Sequence, residues 1–582
     1  MAKKLLPAIG IEVKTVALTA KIFRSIKKTM RLALIYPPPW KIPAPGQRPD
    51  PVDGPPPEKQ TGLDPDFRLP PWGLLSIQAQ VIRAGYHTAP LNLVNSPWTQ
   101  VEKIIRNLEA EVFGLSCFTG NRRGAAMLAQ LIREVHPQAH IVIGGPHVTA
   151  LPQETLKHHP TIDTVVIGEG EETFLELVRC LEAGRTPQGL PGTAWREGSQ
   201  IRFGPPRPRI RNLDALASPL DYFSTNVILT SRGCPGRCTF CASPAIWGRR
   251  VCFHSVDYVL DMLEKAVHRD GFRIISFKDD TFTVNRRRAL AICRGIQDRK
   301  LNFLWSCDTR VDALDEELLR AMREAGCQRI SLGVESASPA ILKNIKKEIT
   351  PEQVLEATRL AKKLGFQVRY YMMAGNRGET WKTFQESLDF LETAKPHDYV
   401  FSLLNILPGT EEFRVLEQKG LITSEVFFEN DFLSLTGCAD AGPEDRQAIL
   451  SWLRKNGGLR RHWDYGPREL EEVLDRLPRL AGAHMDLGGA YFRTGDLDRA
   501  KQHLNQALDL DYPLPGHIHN YLALIAAAGA DLAGTRNHLD LAAKFSRHRV
   551  IQANAAAFES WLREGGPAGG RPLELKAYHR SF

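Results

Sequence analysis

The chain has 582 residues, 43% hydrophobic and 24% charged, with 75 Lys/Arg against 66 Asp/Glu and a formal charge of +9. This length exceeds what one hydrophobic core serves, so three or four domains are expected, and no apolar run reaches the ~20 residues of a bilayer-spanning helix. The charge excess is local: residues 1–30 hold seven Lys/Arg and one Glu, leaving 68 basic against 65 acidic residues elsewhere, which argues against a basic groove and a nucleic-acid partner.

Residues 1–30 form a basic extension, and Met30, directly before the first convincing strand, is a candidate initiation site. Within it Leu18, Ile22, Phe23 and Ile26 share one helical face among Lys21, Arg24, Lys27 and Lys28, a pattern suited to peripheral contact with the inner face of a membrane. Ten cysteines with no secretory leader ahead of them read as reduced thiols of a cytoplasmic protein.

Residues 31–185 alternate strand and helix. Strands are predicted at 31–36, 88–93, 112–116, 140–144 and 164–167, helices at 74–84, 97–109, 124–135 and 170–182, and an irregular loop over the Pro-rich stretch 37–71. Such alternation argues for an open parallel sheet flanked by helices, which binds ligands beyond the carboxyl ends of its strands. Ser116-Cys-Phe-Thr119, Gly144-Gly145-Pro-His147-Val-Thr149 and Gly168-Glu169-Gly170-Glu171 fall at those ends. Small residues there admit a ligand to the backbone, and hydroxyls add directional hydrogen bonds. Residues 186–225, marked by Pro191, Pro205, Pro206 and Pro208, read as a linker with room for a short hairpin.

A second alternation fills 226–425, with strands at 226–231, 273–278, 302–307, 328–333, 367–373 and 399–406 and helices at 255–269, 286–299, 315–325, 351–364 and 381–394. Six units make a partial (β/α)6 barrel, whose chemistry collects at the carboxyl ends of its strands. Asp279 and Asp280 end the second strand, Asp308 and Arg310 the third, Glu335 the fourth and Gly375-Asn376 the fifth. The first strand runs straight into Ser231-Arg-Gly-Cys234-Pro-Gly-Arg-Cys238-Thr-Phe240-Cys241, three thiolates from one loop. A cubane closed for electron transfer takes four cysteines, so three leave one iron of a 4Fe-4S cluster open to an exchangeable ligand. Zinc is the alternative metal, with Cys252 or His254 as fourth ligand, although zinc knuckles usually pair cysteines two and two. Cys117, Cys180, Cys293, Cys307 and Cys327 lie in apolar patterns, as small hydrophobes do, and Cys438 in a less regular stretch.

Residues 426–479 read as a helical connector and 566–582 as a tail. Between them, over 480–565, Leu487, Gly488, Tyr491, Ala500 and Ala507 match the tetratricopeptide (TPR) helix-turn-helix pattern. Tyr521, Gly529, Leu539 and Ala542 repeat it loosely about 35 residues later. Two such repeats cannot bury a full core, so they lean on flanking helices, on the barrel or on a protein partner.

The CxxxCxxC spacing resembles the signature of the radical S-adenosylmethionine (SAM) superfamily. The triad, Asp279-Asp280, Arg310-Val-Asp, Gly-Val-Glu335-Ser and Pro408-Gly-Thr410 follow the order of that family over residues 30–410. The GGPH and GEGE segments resemble the cobalamin-binding domain found ahead of many radical SAM cores. The resemblance implies an α/β fold: an N-terminal Rossmann/flavodoxin-like cobalamin-binding domain, a partial (β/α)6 barrel and a helical C-terminal region. It implies that Cys234, Cys238 and Cys241 hold the 4Fe-4S cluster, with SAM on the open iron. Phe240 would lie near the adenine, Asp279 and Asp280 by the SAM amino group, Arg310 on its carboxylate and Glu335 against SAM from the fourth strand. Cobalamin would be held by Ser116, Thr119, Gly144, Gly145, His147, Glu169 and Gly170. No DxHxxG is present, so no protein histidine is expected on cobalt, and His147 is expected to hydrogen-bond near the corrin.

The implied function is a cobalamin-dependent radical SAM methyltransferase acting on an unactivated carbon of a lipid, tetrapyrrole or other secondary metabolite. Such an enzyme needs an electron donor such as flavodoxin or ferredoxin. The same domains also serve cyclases, oxidases and rearrangement enzymes, and an inert TPR scaffold is the non-enzymatic alternative. A methylthiotransferase needs a further cluster, for which 31–185 offers only Cys117 and Cys180. The basic start and Pro-rich loop favour a hydrophobic substrate.

Overall fold

The structure is a computed structural model that describes residues 30–38, 71–94, 96–429, 442–569 and 572–578. The basic extension, most of the Pro-rich stretch and Cys438 lie outside the described residues.

Short apolar runs build the first sheet. β1 (Leu32–Tyr36), β2 (Thr88–Asn92), β3 (Val112–Ser116), β4 (His140–Gly144) and β5 (Thr164–Val166) pair in parallel in the order β2-β1-β3-β4-β5, where the sequence predicts them. β1 is buried along its whole length, as a parallel strand covered on both faces must be. One face packs Ile35, Phe113, Leu115 and Ile141 against helices Trp98–Arg106 and Arg122–Val135. The other packs Leu34, Val112, Val142 and Val166 against Trp72–Arg83 and Gly170–Glu182. The hairpin foreseen within the linker is β6 (Thr193–Glu197) and β7 (Gln200–Phe203). It extends the first sheet antiparallel beyond β5, so this part of 186–225 belongs to the sheet. Two helices absent from the sequence reading, Pro146–Ala150 and Pro152–His158, follow β4. Each opens on proline, which needs no donor there, and each is too short for a helical period to show.

The first barrel strand differs from expectation. β8 (Val227–Ile228) stops early, and β9 (Ser231–Arg232) turns away to pair antiparallel with β10 (Cys252–Phe253). Thr230 causes the break: its N–H donates to Asp279 Oδ1 (2.6 Å), and its carbonyl accepts from Arg288 Nη2 (2.9 Å) and His254 N (3.0 Å). Beyond it β11 (Ile274–Phe277), β12 (Leu304–Thr309), β13 (Cys327–Glu335), β14 (Gln367–Ala374) and β15 (Asp398–Leu403) continue in parallel from β8 as an open sheet. Phe277, Trp305, Ile330, Leu332, Val368 and Tyr370 fill the space under its helices. The connector is not wholly helical: β16 (Gly458–Arg461) pairs antiparallel with the edge of β15. Its residues are all exposed, so no apolar alternation marked it in the sequence.

Helix pairs Ala481–Thr494/Leu497–Asp509 and Pro515–Ala528/Leu532–Phe545, followed by Arg549–Arg563, form the C-terminal region. The first pair leans on the barrel and on the connector. Met485, Leu504 and Tyr512 share a core with Leu304, Gln328 Nε2 donates to Asp486 (3.0 Å), and Leu487 and Tyr491 pack on Leu470. Among the described residues no helix is long and apolar enough to cross a membrane.

The two α/β units meet through helix Trp72–Arg83. Gln80 and Ala217 exchange two hydrogen bonds (3.1 and 3.0 Å), Arg83 Nη1 donates to the Ala215 carbonyl (2.9 Å), and Trp72 joins the barrel core.

Candidate active site

The cysteine loop leaves β9 at the carboxyl end of the barrel sheet. A side chain at Gly236 would fall 3.3 Å from Cys234 Sγ, 3.9 Å from Cys238 Sγ and 3.3 Å from Arg310 Nη1. Two sulfurs and a guanidinium therefore surround one glycine, whose N–H points at Cys234 Sγ (3.4 Å). Cys234, Cys238 and Cys241 are free and half-buried. Burial pushes the Cys241 thiol up to about 12 and raises Cys238, although Lys347 and Arg310 pull Cys238 the other way. Thiols of this kind become ligands only when metal charge replaces the proton. Both candidates for a fourth zinc ligand are engaged elsewhere. His254 Nδ1 bonds Asp214 (2.9 Å), and Cys252 lies against Arg209 (3.8 Å). Among the described residues no three His, Cys, Asp or Glu side chains converge on a single ion. Three free thiols on one loop, with both further zinc ligands engaged elsewhere, suit a cluster that takes three cysteines better than a four-ligand zinc site.

The loop is held from three sides. Thr239 N donates to the Ile345 carbonyl (3.0 Å), Thr239 Oγ1 donates to Glu412 (3.0 Å), and Glu412 N returns a bond to the Thr239 carbonyl (2.9 Å). Glu412 stands in the first turn of helix Glu411–Gln418, which Thr410 caps through a bond from Phe413 N (3.1 Å). Gly409, at φ +76°, passes where a side chain would meet Ala150 and Ala245 at 3.2 and 3.3 Å. Pro408-Gly-Thr410 thus docks the loop onto the first α/β unit. Phe240 packs in the same junction, in a cluster with Leu151, Ile345 and Phe413.

The polar residues at the strand ends divide. Asp279 is buried, and its carboxylate accepts from Thr230 N and Ser231 Oγ (2.8 Å) and from Thr230 Oγ1. It anchors the break before the cysteine loop, its carboxylate turned to the loop's own backbone and hydroxyls. Asp280 is exposed, accepts from Ser243 Oγ (2.6 Å) and from the Gly233 backbone, and has surface left for a ligand ammonium. Arg310 is clamped by Asp312 through two 2.9 Å bonds and donates to the Lys347 carbonyl (3.2 Å). Glu335 accepts from Lys347 Nζ at 3.0 Å. Lys347 escaped the sequence reading because Asn344-Ile-Lys-Lys-Glu reads as a solvated helix end.

At the carboxyl end of the first sheet, Gly168 (φ +80°) has open space where a side chain would stand, and its N–H bonds Thr149 Oγ1 (3.0 Å). With half-buried Gly144 and Ser116 this is a backbone cradle that fits a corrin edge and its amides. The other expected contacts have internal roles. Gly145 (φ +113°) backs onto the Cys117 carbonyl, 2.6 Å from where a Cβ would be, and a Cβ on Gly170 would strike Ile77 at 2.7 Å. Thr119 Oγ1 and His147 Nδ1 bond each other (3.2 Å), both buried. Burial lowers His147 to about 3. Its Nε2 has no hydrogen-bond partner and borders a cavity of about 30 Å³ beneath Phe427 and Phe428, room for a water rather than a corrin.

Glu169 is the clearest correction. With Glu171 it grips Arg232, two residues before the first cysteine: Arg232 Nη1–Glu169 Oε1 is 2.6 Å and Nη2–Glu171 Oε1 is 2.5 Å, with the three side chains 5–6% exposed. Ile210 N (2.7 Å) and Ser76 Oγ (2.8 Å) complete the carboxylates. This buried triad welds the first sheet to the cysteine loop.

Residues 228–391 match the Radical SAM superfamily and residues 61–178 the B12 binding domain. The chain is 35% identical over 324 residues, 54% of its length and 71% of the relative's, to an uncharacterized methyltransferase of Pyrococcus horikoshii. It is 29% identical over 377 residues, 61% of its length and 67% of the relative's, to the anaerobic magnesium-protoporphyrin IX monomethyl ester cyclase of Rubrivivax gelatinosus. Its fold is like that of OxsB, a cobalamin-dependent SAM radical enzyme solved with aqua-cobalamin and SAM, at a TM-score of 0.56 and 16% identity over 93% of this chain and 84% of that one. The methyltransferase TsrM of Kitasatospora setae, solved with cobalamin and a [4Fe-4S] cluster, gives 0.54 and 20% over 67% and 75%. Triad, docked α/β units and relatives agree that the chain belongs to the radical SAM superfamily, in its cobalamin-dependent branch alongside radical SAM methyltransferases, and works with a 4Fe-4S cluster, SAM and cobalamin.

Proposed function

We propose that this enzyme methylates an unactivated carbon of a hydrophobic small molecule. The observation that carries the reading is the Arg232 triad, which fixes the cysteine loop against the unit whose strand ends cradle cobalamin. A substrate held in this rigid frame would be exposed on one side to the hydrogen-abstracting chemistry that SAM and the cluster would supply and on the other to the methyl group that cobalamin would carry. Together the cofactors supply a hydrogen-abstracting radical and a transferable methyl group. The protein's part is to hold the reactants. Cys234, Cys238 and Cys241 bind the cluster, and Asp280 and Glu335 offer carboxylates to the SAM ammonium and ribose. Gly144 and Gly168 receive the corrin edge, and a one-electron donor such as flavodoxin or ferredoxin supplies reducing equivalents. A tetrapyrrole substrate is consistent with two relatives: the Rubrivivax cyclase, and the bacteriochlorophyllide d C-12(1)-methyltransferase of Chlorobaculum tepidum, 28% identical over 285 residues. The cyclase also favours a second reading, in which the same radical closes a ring without methyl transfer.

The test is anaerobic reconstitution with iron, sulfide, cobalamin, SAM and a reductant, fed with extracts of lipids and pigments. Methyl transfer yields 5′-deoxyadenosine, S-adenosylhomocysteine and a product heavier by one CH2. Deoxyadenosine without S-adenosylhomocysteine or mass gain supports the cyclase reading. No deoxyadenosine from a preparation with a full cluster refutes both.

A further inference from the structure

The segment that follows β13 carries a concentration of unfavourable backbone. Glu335, Lys346 and Glu348 all sit at positive φ (+67°, +53° and +55°), a conformation that costs a non-glycine residue about 1–2 kcal/mol. Three such residues within fourteen positions persist only where surrounding contacts over-determine them, as at functional sites. Their effect is to present two charges to one another. Glu335 turns its carboxylate, and the residues flanking Lys347 turn its ammonium, into a 3.0 Å pair with side chains 14% and 7% exposed. Gly333 leaves room for the same pair: a Cβ there would stand 2.7 Å from Glu335 Oε1 and 2.9 Å from Lys347 Nζ.

The pair belongs to the cysteine loop. Lys347's carbonyl accepts from Arg310, whose Nη1 lies against Gly236 between Cys234 and Cys238, and Ile345's carbonyl accepts from Thr239 N. Lys347 is thereby tied through Arg310 to the turn that carries Cys234 and Cys238. A surface lysine needs none of this. Its ordinary position is solvated, and burying an ammonium is costly unless a fixed partner and a fixed purpose hold it there.

We propose that Lys347 is a positioning residue of the cluster site: its ammonium holds the Glu335 carboxylate offered to SAM and, tied to the cysteine loop through Arg310, stabilises the reduced cluster. The inference rests on the reading of the triad as a cluster ligand set. One-electron reduction adds one negative charge to the cluster, so a fixed cation nearby favours the reduced form and raises the potential. A low-potential one-electron donor provides the electron.

The test is potentiometric titration of the reconstituted full-length protein, followed by EPR, together with SAM binding by calorimetry. Lys347→Met removes the charge at similar length and Lys347→Arg retains it. With iron content equal to wild type, Lys347→Met is expected to disfavour reduction at least tenfold, a potential lower by about 59 mV for one electron, and to weaken SAM binding several-fold, while Lys347→Arg restores both. Glu335→Gln leaves the ammonium unpaired, so it is expected to raise the potential while still weakening SAM binding. This variant decides the question should Lys347→Met fail to hold iron. An unchanged potential in a loaded Lys347→Met, or in Glu335→Gln, overturns the proposal. A wild-type protein that assembles no cluster overturns instead the underlying reading.

Discussion

Arg232→Met is the perturbation on which the docking argument turns. The guanidinium is the shared cation of two carboxylates that are 5% exposed and stand at the start of helix Gly170–Glu182, which covers the first sheet. Its removal leaves Glu169 and Glu171 buried together without a cation, on neutral donors such as Ile210 N and Ser76 Oγ. Breaking a buried ion pair by removing one partner costs about 3–5 kcal/mol, and two stranded carboxylates place this case at the upper end. Removing all three charges in Arg232→Met/Glu169→Gln/Glu171→Gln should recover most of that loss, because the penalty lies in the unpaired charges.

The pH dependence sharpens the prediction. Burial alone would raise Glu171, but Arg232 and Ser76 more than offset it and hold the carboxyl below its usual value. A depressed native value means stability that is present at neutral pH and lost as pH falls through that value. Without Arg232 the burial effect on Glu171 is left, so in the variant this carboxyl takes up a proton on folding. Its deficit against wild type is then largest near pH 7.5 and shrinks towards pH 5. Urea unfolding at the two pH values measures this, and hydrogen exchange over 170–182 and 230–241 locates it at the junction. A deficit below about 1 kcal/mol, or one independent of pH, refutes the triad as a weld.

The further predictions concern single positions. Asp279→Asn should cost about 2–3 kcal/mol, because an amide cannot accept from all of its buried donors, whereas Asp280→Asn should leave the melting curve nearly unchanged and weaken SAM binding. Equal effects of the two on stability would contradict the division drawn between them. Gly145→Ala, with a Cβ 2.6 Å from the Cys117 carbonyl, should unfold the first unit or cost well over 2 kcal/mol. Gly168→Ala, in open space, should cost about 1–2 kcal/mol and show its main effect as lost cobalamin in equilibrium dialysis. His254 is lowered to about 4 by burial, against the pull of Asp214. The unfolded chain therefore binds that proton first, and on the order of 3 kcal/mol should be lost as pH falls from 6.5 to 4; His254→Gln should flatten that part of the profile.

What could be read from the sequence follows the range of the forces involved. The parallel strands and their helices were legible because burial on two faces imposes a local pattern, and the cysteine loop because three ligands of one cluster fit in eight residues. β16 was not, since an exposed edge strand is specified by its neighbour β15 and carries no pattern of its own. Glu169 was read as a cofactor contact because a carboxylate after a parallel strand looks the same whether it faces a ligand or an arginine 63 residues later. Ser76 and Gln80, polar residues on the inner side of helix Trp72–Arg83, were the available sign that this helix faces another unit and not only a core.

The charged groups at the strand ends share one feature: Glu169, Asp279 and Arg310, expected on the cofactors, are each also held by neighbouring protein groups. A site that handles a radical must keep its reactants fixed while excluding competing hydrogen donors. Charges bound to each other across a junction supply rigidity that solvated charges cannot. Among the described residues, the groups proposed above to meet ligands are the thiols, Asp280, the Glu335–Lys347 pair and bare backbone at Gly144 and Gly168. Backbone contacts to a corrin and chelation of SAM by iron hold cofactors without discriminating among substrates. Selectivity must therefore come from segments around this frame, and exchanging those loops between relatives should transfer substrate choice while leaving cluster assembly and SAM cleavage intact, measurable as unaltered deoxyadenosine formation with an altered product.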